Sequence, residues 1–532
     1  MTNAIFPKPS AICKIVCIIF AVFCIATPLF AQIDEIRIAD AAGDWGYPNP
    51  FRHYPRGPGY IRMSWVFDTL VWKDQKGYAP ALADSWSYNG KKKTFTFKLN
   101  PRATWHDGRK LTADDVVFTI MYFKEHPYSW VALDSVKEVF ADNSQTVTIV
   151  LSKPYAPFLS DIGGTMPILP RHIWEHVAKP EEFNEPGAFI GSGPYVFRDF
   201  NKVQGTYLYE AFKGYYQGKP TAERLIYIRS GQPLMSLTTG QADLAPIQPT
   251  MADTLRSKGM TVIKDEKGWN KKLMINHKKP PFCDRRFRQA LAFAIDRQEI
   301  IEKGHNGLAS LASYGLLSKD HEMYNPAVPV YQFNPPRARQ LIESMGYRMD
   351  DKGVYNLNGS PLKVELLASK ITTAGQNVAD RDGEIIKKQL EAVGIAVELV
   401  NLEQATTDSR VAGWEFDLAV SGHGGISGDP KILSEMILSK YSAKSVNSAR
   451  YDGNQELNGL LEQQMAEMDA KKRKKIVFQI QKIYADELPA ISLYYPDSMT
   501  AYNPQKGVKW YYTKGGISKG IPIAQNKMSL IR

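Results

Sequence analysis

Between Ala79 and Ile120 the chain changes hydrophobic period twice within about forty positions. Thr94-Phe95-Thr96-Phe97-Lys98-Leu99 alternates with period two, as a half-buried strand does. Tyr88-Asn89-Gly90-Lys91 before it is a reverse-turn signal, so Ala83 to Tyr88 is the simplest hairpin partner. Trp105-His106-Asp107-Gly108 reads as a second turn. Thr112-Ala113-Asp114-Asp115 then supplies a cap and a first-turn acidic pair for a helix through Val116, Val117 and Ile120. The unit is strand, turn, strand, turn, capped helix.

The rest of the chain continues to alternate short strands and helices. Strand patterns cover Ile33 to Ala39, Thr146 to Leu151, Gly193 to Phe200, Arg224 to Ile228, Gly268 to Asn276, Leu362 to Leu367, Ile395 to Leu399, Phe416 to Val420 and Pro489 to Pro496. Helical patterns cover Ile173 to Val177, Phe287 to Ile295, Pro336 to Met345 before Gly346, and Glu384 to Val393 before Gly394. There is no internal repeat or low-complexity tract. The pattern predicts a mixed α/β fold.

The order Leu82-Ala83-Asp84-Ser85-Trp86, Thr94 to Leu99, Trp105 to Gly108 and Leu111 to Phe118 resembles the signature region of the family 5 extracellular solute-binding proteins. These are the peptide- and nickel-binding receptors of ABC importers. Ile190 to Tyr195, Asn276 to Phe282, Arg286 to Leu291 and Ala294-Ile295-Asp296 resemble the same family, which extends the likeness over nearly all of the chain after the amino terminus.

The resemblance implies a two-lobed periplasmic binding protein type II fold with an extra subdomain in lobe one. Lobe one would span 32–268, with the subdomain at about 80–192, and lobe two 269–490. Residues 491–532 would return to complete lobe one. Two crossings make a hinge, since few backbone angles need change while two rigid lobes close. The implied activity is capture of a small solute, a peptide first and a nickel chelate or other small anion as the alternative, and its delivery to ABC permease subunits. The implied receptor is a monomer without a cofactor and not an enzyme.

Composition narrows this reading. The 532 residues, 44% of them hydrophobic, suffice for a large core and more than one lobe. Lys8 and Lys14 precede the apolar run Ile15 to Ala26, and Leu29-Phe30-Ala31 suits cleavage before Gln32, so 1–31 reads as a secretory signal peptide and the product as periplasmic. Cys24 follows a bulky Phe23 where a lipobox has a small residue, which argues against a lipid anchor. Cleavage would remove Cys13, Cys17 and Cys24 and leave Cys283 alone, so no intrachain disulfide is expected. It would also remove two of the positive charges behind the formal +11. The dense run Lys471-Lys472-Arg473-Lys474-Lys475 precedes a helical pattern and reads as a solvated helix face; with an export signal, nucleic acid is not an expected partner.

Candidate binding residues follow from the implied cleft. The opening strand leads into Gly43 to Pro50, which makes Trp45 and Tyr47 pocket candidates against a packing alternative. Arg52, His53 and Arg56 follow in an aromatic, basic loop. Trp269 and Asn270 stand at the first crossing. Ser421 to Pro430 reads as a glycine-rich loop whose backbone, at Gly422 and Gly424, could approach a ligand, with Asp429 in its Gly-Asp-Pro. Where peptide-binding relatives carry an acid for the peptide α-amino group, this chain has Ile426. His423 is open to use as a hydrogen-bond donor, a ligand for a nickel chelate, or a structural group. Arg381 could meet a ligand carboxylate or its neighbours Asp380 and Asp382.

Catalytic patterns are few. Gly516-Ile517-Ser518-Lys519-Gly520 fits G-x-S-x-G, but Pro522 denies it the helix of a nucleophile elbow. His172 and His176 lack the glutamate of a zincin motif. An exported hydrolase using His423 and Asp429, or Ser518, is the alternative from another class.

Overall fold

The structure, a computed structural model, describes residues 33–265, 267–373, 376–379, 381–441, 446 and 448–531. The expected signal peptide, with Cys13, Cys17 and Cys24, lies outside them.

Two large mixed sheets carry the fold. Among the described residues the first runs in the order Thr261–Lys264, Met499–Tyr502, Leu244–Ile247, Ile33–Asp40, Ala222–Arg229, Thr206–Ala211, Tyr195–Asn201. The second runs Ala309–Leu311, Ala490–Pro496, Trp269–Ile275, Leu418–Gly424, Lys363–Thr373, Gln376–Ala379, and Ala396–Glu403 also pairs with Lys363–Thr373. In the first, Ile33–Asp40 runs parallel to both Ala222–Arg229 and Leu244–Ile247. In the second, Lys363–Thr373 runs parallel to Ala396–Glu403 and Leu418–Gly424. Each sheet therefore has a carboxyl edge at which loops can gather around a ligand.

The strands of the first sheet come from before Asp265 and after Ser498, and those of the second from between. The mixed α/β fold is thus two-lobed. The crossings are tied to each other: the Asp265 N–H donates to the Ser498 carbonyl at 2.9 Å, and Asp497 accepts from Lys264 at 2.6 Å and pairs with Lys267. The return crossing is later than the expected 490/491 boundary. Ala490–Pro496 lies wholly in the second sheet because its backbone pairs with Trp269–Ile275, and the chain re-enters the first sheet only at Met499.

The opening unit of the sequence forms a four-stranded antiparallel sheet in the order Ala83–Asn89, Thr94–Leu99, Thr146–Leu151, Val136–Asn143. Its period-two pattern buries Phe95, Phe97 and Leu99, and Phe95 stacks on Phe158 with ring centroids 4.1 Å apart. The helix Ala113–Glu125 starts where Asp115 accepts the Thr112 N–H at 2.8 Å, and Val116, Ile120 and Phe123 turn inward. Val508, Trp510, Ile517, Ile521 and Leu530 of the returning segment join the same core. Lys527 pairs with Asp68 inside it, and Trp72 donates to Asn526 at 2.9 Å.

Candidate functional site

At the carboxyl end of Ile33–Asp40 the Asp40 carboxylate organises the loop that follows. It accepts the Ala42 N–H at 2.8 Å, Arg62 Nη2 at 2.7 Å and Trp45 Nε1 at 2.9 Å. Arg62 is fully buried, with its guanidinium 4.1 Å from the ring centre of Tyr227 and 5.0 Å from that of Tyr207. Burial opposes ionisation of Asp40, but the charge and hydrogen bond of Arg62 prevail and hold the carboxyl below its usual range. Trp45 is thereby fixed through its indole N–H and meets Tyr54 edge-on at 6.4 Å. Tyr47 points elsewhere, against Phe200 at 5.2 Å and Phe189 at 6.0 Å on the flank of the first sheet.

On the second lobe the expected glycine-rich loop is shorter than its composition suggests. Ser421 to Gly424 extend the strand Leu418–Gly424, because Gly424, His423 and Gly422 pair with Trp269, Asn270 and Lys271. The loop begins at Gly425, whose φ of +82° favours glycine. Gly422 and Gly424 make room for a side chain as well: a Cβ on Gly422 would stand 2.5 Å from Trp269 Nε1, and one on Gly424 3.1 Å from its ring. The Trp269 indole therefore lies across both glycines.

Asn270 and His423 face each other across that pairing, with Lys272 on the same face of the sheet. Ser492 donates to Asn270 Oδ1 at 3.4 Å, while the buried Asn270 Nδ2 has no partner. Burial pushes the Lys272 ammonium down to about 7. Burial, then the charges of Lys272 and Arg56, push the His423 imidazole down to about 4, so it is neutral at neutral pH. Its Nδ1 donates to the Gly424 carbonyl, which leaves Nε2 as the acceptor atom. The two lobes meet one residue beyond the strand, where a Cβ on Gly425 would stand 3.0 Å from the Lys519 carbonyl oxygen of the first lobe.

Asp429 is committed within its own lobe. Arg473 grips it with both arms, at 2.7 and 2.5 Å, and the Lys431 N–H donates to it at 2.8 Å. Arg473 also corrects the reading of the basic run as a solvated face: it is buried, and its Nε donates to the Gln464 carbonyl at 2.9 Å. Ile426 is fully buried in an apolar cluster with Leu316, Leu317 and Leu433, so neither a charge nor the crevice is available at that position. Arg381 is exposed, and its guanidinium donates to the Lys303 carbonyl at 3.3 Å. Its neighbour Asp382 is buried on Tyr494 Oη at 2.6 Å and His305 Nε2 at 2.9 Å, and Asp380 lies outside the described residues.

Among the cavities between residues of both lobes, two stand out by volume. One, of about 250 Å³, is bounded by Lys73 and Tyr78 on one side and His321, Asp429 and Arg473 on the other. The other, of about 480 Å³, is walled by Val131, Lys153 and Tyr155 against Lys431, Glu435 and Tyr441. Ser518 is buried at φ +51° and donates to the Gly164 carbonyl at 3.2 Å, with no helix after it. His172 pairs with Asp107 at 2.8 Å, and His176 lies beyond the short helix Arg171–Trp174. Among the described residues no three His, Cys, Asp or Glu side chains are grouped to hold a metal ion.

The profile described as "Bacterial extracellular solute-binding proteins, family 5 Middle" matches residues 77–445. The chain belongs to this family. The receptor is 26% identical to heme-binding protein A of Haemophilus influenzae over 480 residues, covering 84% of each chain. It is 27% identical to the dipeptide-binding protein of Escherichia coli over 463 residues, covering 81% of this chain and 83% of that one. Its fold is that of NikZ from Campylobacter jejuni, solved in complex with Ni(L-His): TM-score 0.76 at 23% identity, over 92% of this chain and 98% of that chain. Family members are extracytoplasmic substrate-binding receptors that work with ABC permeases, and this chain is a solute-binding receptor. Among the described residues no helix is long and apolar enough to cross a membrane.

Sequence reasoning missed the buried roles of Arg62, Lys272 and Arg473. Lys272 left a signal, a lysine two positions before Met274 on the same face of a strand that ends in the apolar Leu273-Met274-Ile275. The others left none, because their partners are distant in sequence.

Proposed function

We propose that the receptor, exported by cleavage of its amino-terminal segment, traps a small solute between its lobes as a monomer and passes it unchanged to the permease. The observation that carries this reading is the close approach of the second-lobe loop at Gly425, just after the strand that holds His423, to the first-lobe loop at Lys519 and Gly520. Trp45, held on Asp40 by its indole N–H, and Trp269, laid across Gly422 and Gly424 beside His423, are the aromatic walls we assign to the site. A peptide is the solute we favour. With Ile426 in the apolar core, its α-amino group is not anchored there, and Arg56 and Lys272 favour holding it by a carboxylate instead. Delivery without chemistry is supported by Ser518, whose hydroxyl is spent on a carbonyl.

A second reading, a nickel chelate, is favoured by one observation: His423 is neutral, with Nδ1 fixed on a carbonyl and Nε2 left as a donor atom for a metal. Calorimetry with di- and oligopeptides against nickel plus histidine separates the two. Replacing His423 by Ala should abolish a nickel signal and leave a peptide signal. Recovery of hydrolysed peptide after incubation would overturn the receptor reading.

A further inference from the structure

We propose that Lys431 and Asp161 form an ionic latch between the lobes, made on closure and broken on opening. The inference rests on the two-lobed closure argued above. Asp161 belongs to the first lobe, in the π-helical turn Leu159–Gly163, and is 2% exposed at its side chain. Lys431 opens the second-lobe helix Lys431–Ile437 and is 13% exposed. Lys431 Nζ stands 2.9 Å from Asp161 Oδ2, Lys519 of the first lobe stands 2.9 Å from Oδ1, and Tyr155 donates to Oδ2 at 2.6 Å.

An ion pair this buried gains from closure only where its geometry repays the loss of water. Here one carboxylate is shared by two ammonium groups and a hydroxyl. Burial works against Asp161, yet Lys519 and Lys431 bring it down to about 2. Lys519 and Tyr155 stay with Asp161 whether or not the lobes part. Lys431 is the member that leaves, and its other partner, Glu435 at 3.1 Å, travels with it. Asp161 thus keeps its first-lobe partners in the open state, which prevents a stranded charge, and the additional bond to Lys431 is available only when closed. Lys431, Lys519 and Tyr155 also line the 480 Å³ cavity, so the latch lies beside space for a solute.

The test needs no solute. A spin label on the exposed native Cys283 of the second lobe and another on Val203→Cys, 88% exposed in the first, report the interlobe distance by pulsed electron resonance. In Asp161→Asn and Lys431→Met the open-to-closed ratio should rise about tenfold over the labelled parent. Lys519→Met should behave as the parent, since its bond does not cross between lobes. Two populations whose ratio ignores Asp161→Asn and Lys431→Met overturn the latch alone, as does equal opening by Lys519→Met. One unchanging distance in every protein overturns closure itself, and the latch with it.

Discussion

Arg473 shows how a residue's neighbours along the chain can mislead about its place. Four lysines flank it, yet its guanidinium is buried on Asp429 and Gln464 and ties the Gly-Asp-Pro turn to the helix Ala470–Glu487. Removing one partner of such a pair leaves the other's charge poorly solvated, so Arg473→Ala should cost about 3 kcal/mol in urea unfolding. Lys472→Ala, on the exposed side of that helix, should change stability by less than about 0.5 kcal/mol. Equal effects would return Asp429 to the list of groups free to meet a solute.

His423 makes a different prediction at the same scale. Its folded imidazole titrates near 4 against an ordinary 6.5, so the unfolded chain binds the proton more tightly. The stabilisation is complete above about pH 6.5 and is lost as the pH falls toward 4. His53 and His106 are likewise pushed to about 4 by burial. Burial lowers His277 and His321 as well, so His423→Asn should flatten the fall of Tm between pH 6.5 and 4 by roughly a quarter and leave the remainder. A profile parallel to that of the parent would show that the imidazole is not buried neutral.

Among the elements, the strand Leu418–Gly424 marks how far sequence could be read. Its apolar half was legible because Phe416 to Val420 follows a plain pattern. Its second half was not, because Ser421-Gly422-His423-Gly424 has the composition of a loop and is held in the sheet by pairing with Trp269 to Lys272, 150 positions earlier. The opening hairpin and capped helix were legible in full, since their partners are neighbours in the chain. Arg62 under Trp45 and Lys431 against Asp161 are contacts across lobes or long loops, and no local period encodes them. The structure gives Gly422 a role that its loop-like setting did not suggest, as the seat of the Trp269 indole. Gly422→Ala should push the ring aside, since its Cβ would fall 2.5 Å from Nε1. A changed tryptophan emission at wild-type Tm is expected; unchanged emission would mean the ring does not rest there.

For the whole molecule, closure depends on how near two backbones can come. The second-lobe loop at Gly425 and Gly428 lies on the first-lobe loop at Gly515 and Gly520. A Cβ on Gly520 would stand 2.7 Å from the Gly425 carbonyl oxygen, one on Gly428 3.0 Å from Gly520 Cα, and one on Gly515 3.0 Å from the Ser427 carbonyl oxygen. The nearest obstacles to a side chain at Gly520 are all in the other lobe, so Gly520→Ala is a wedge against closure rather than against folding. Its φ of +83° adds a cost of about 1 kcal/mol in either state, which should appear as a small fall in Tm. Gly516 offers the contrast, since a Cβ there would meet Gly520 backbone atoms of its own loop at 2.3 Å and should damage the fold whether the lobes are open or shut. Solution X-ray scattering should therefore give Gly520→Ala a larger radius of gyration than the parent with cooperative unfolding retained, and Gly516→Ala a lower Tm. A Gly520→Ala protein with the parent's radius would mean that these two glycine loops do not set how far the lobes close.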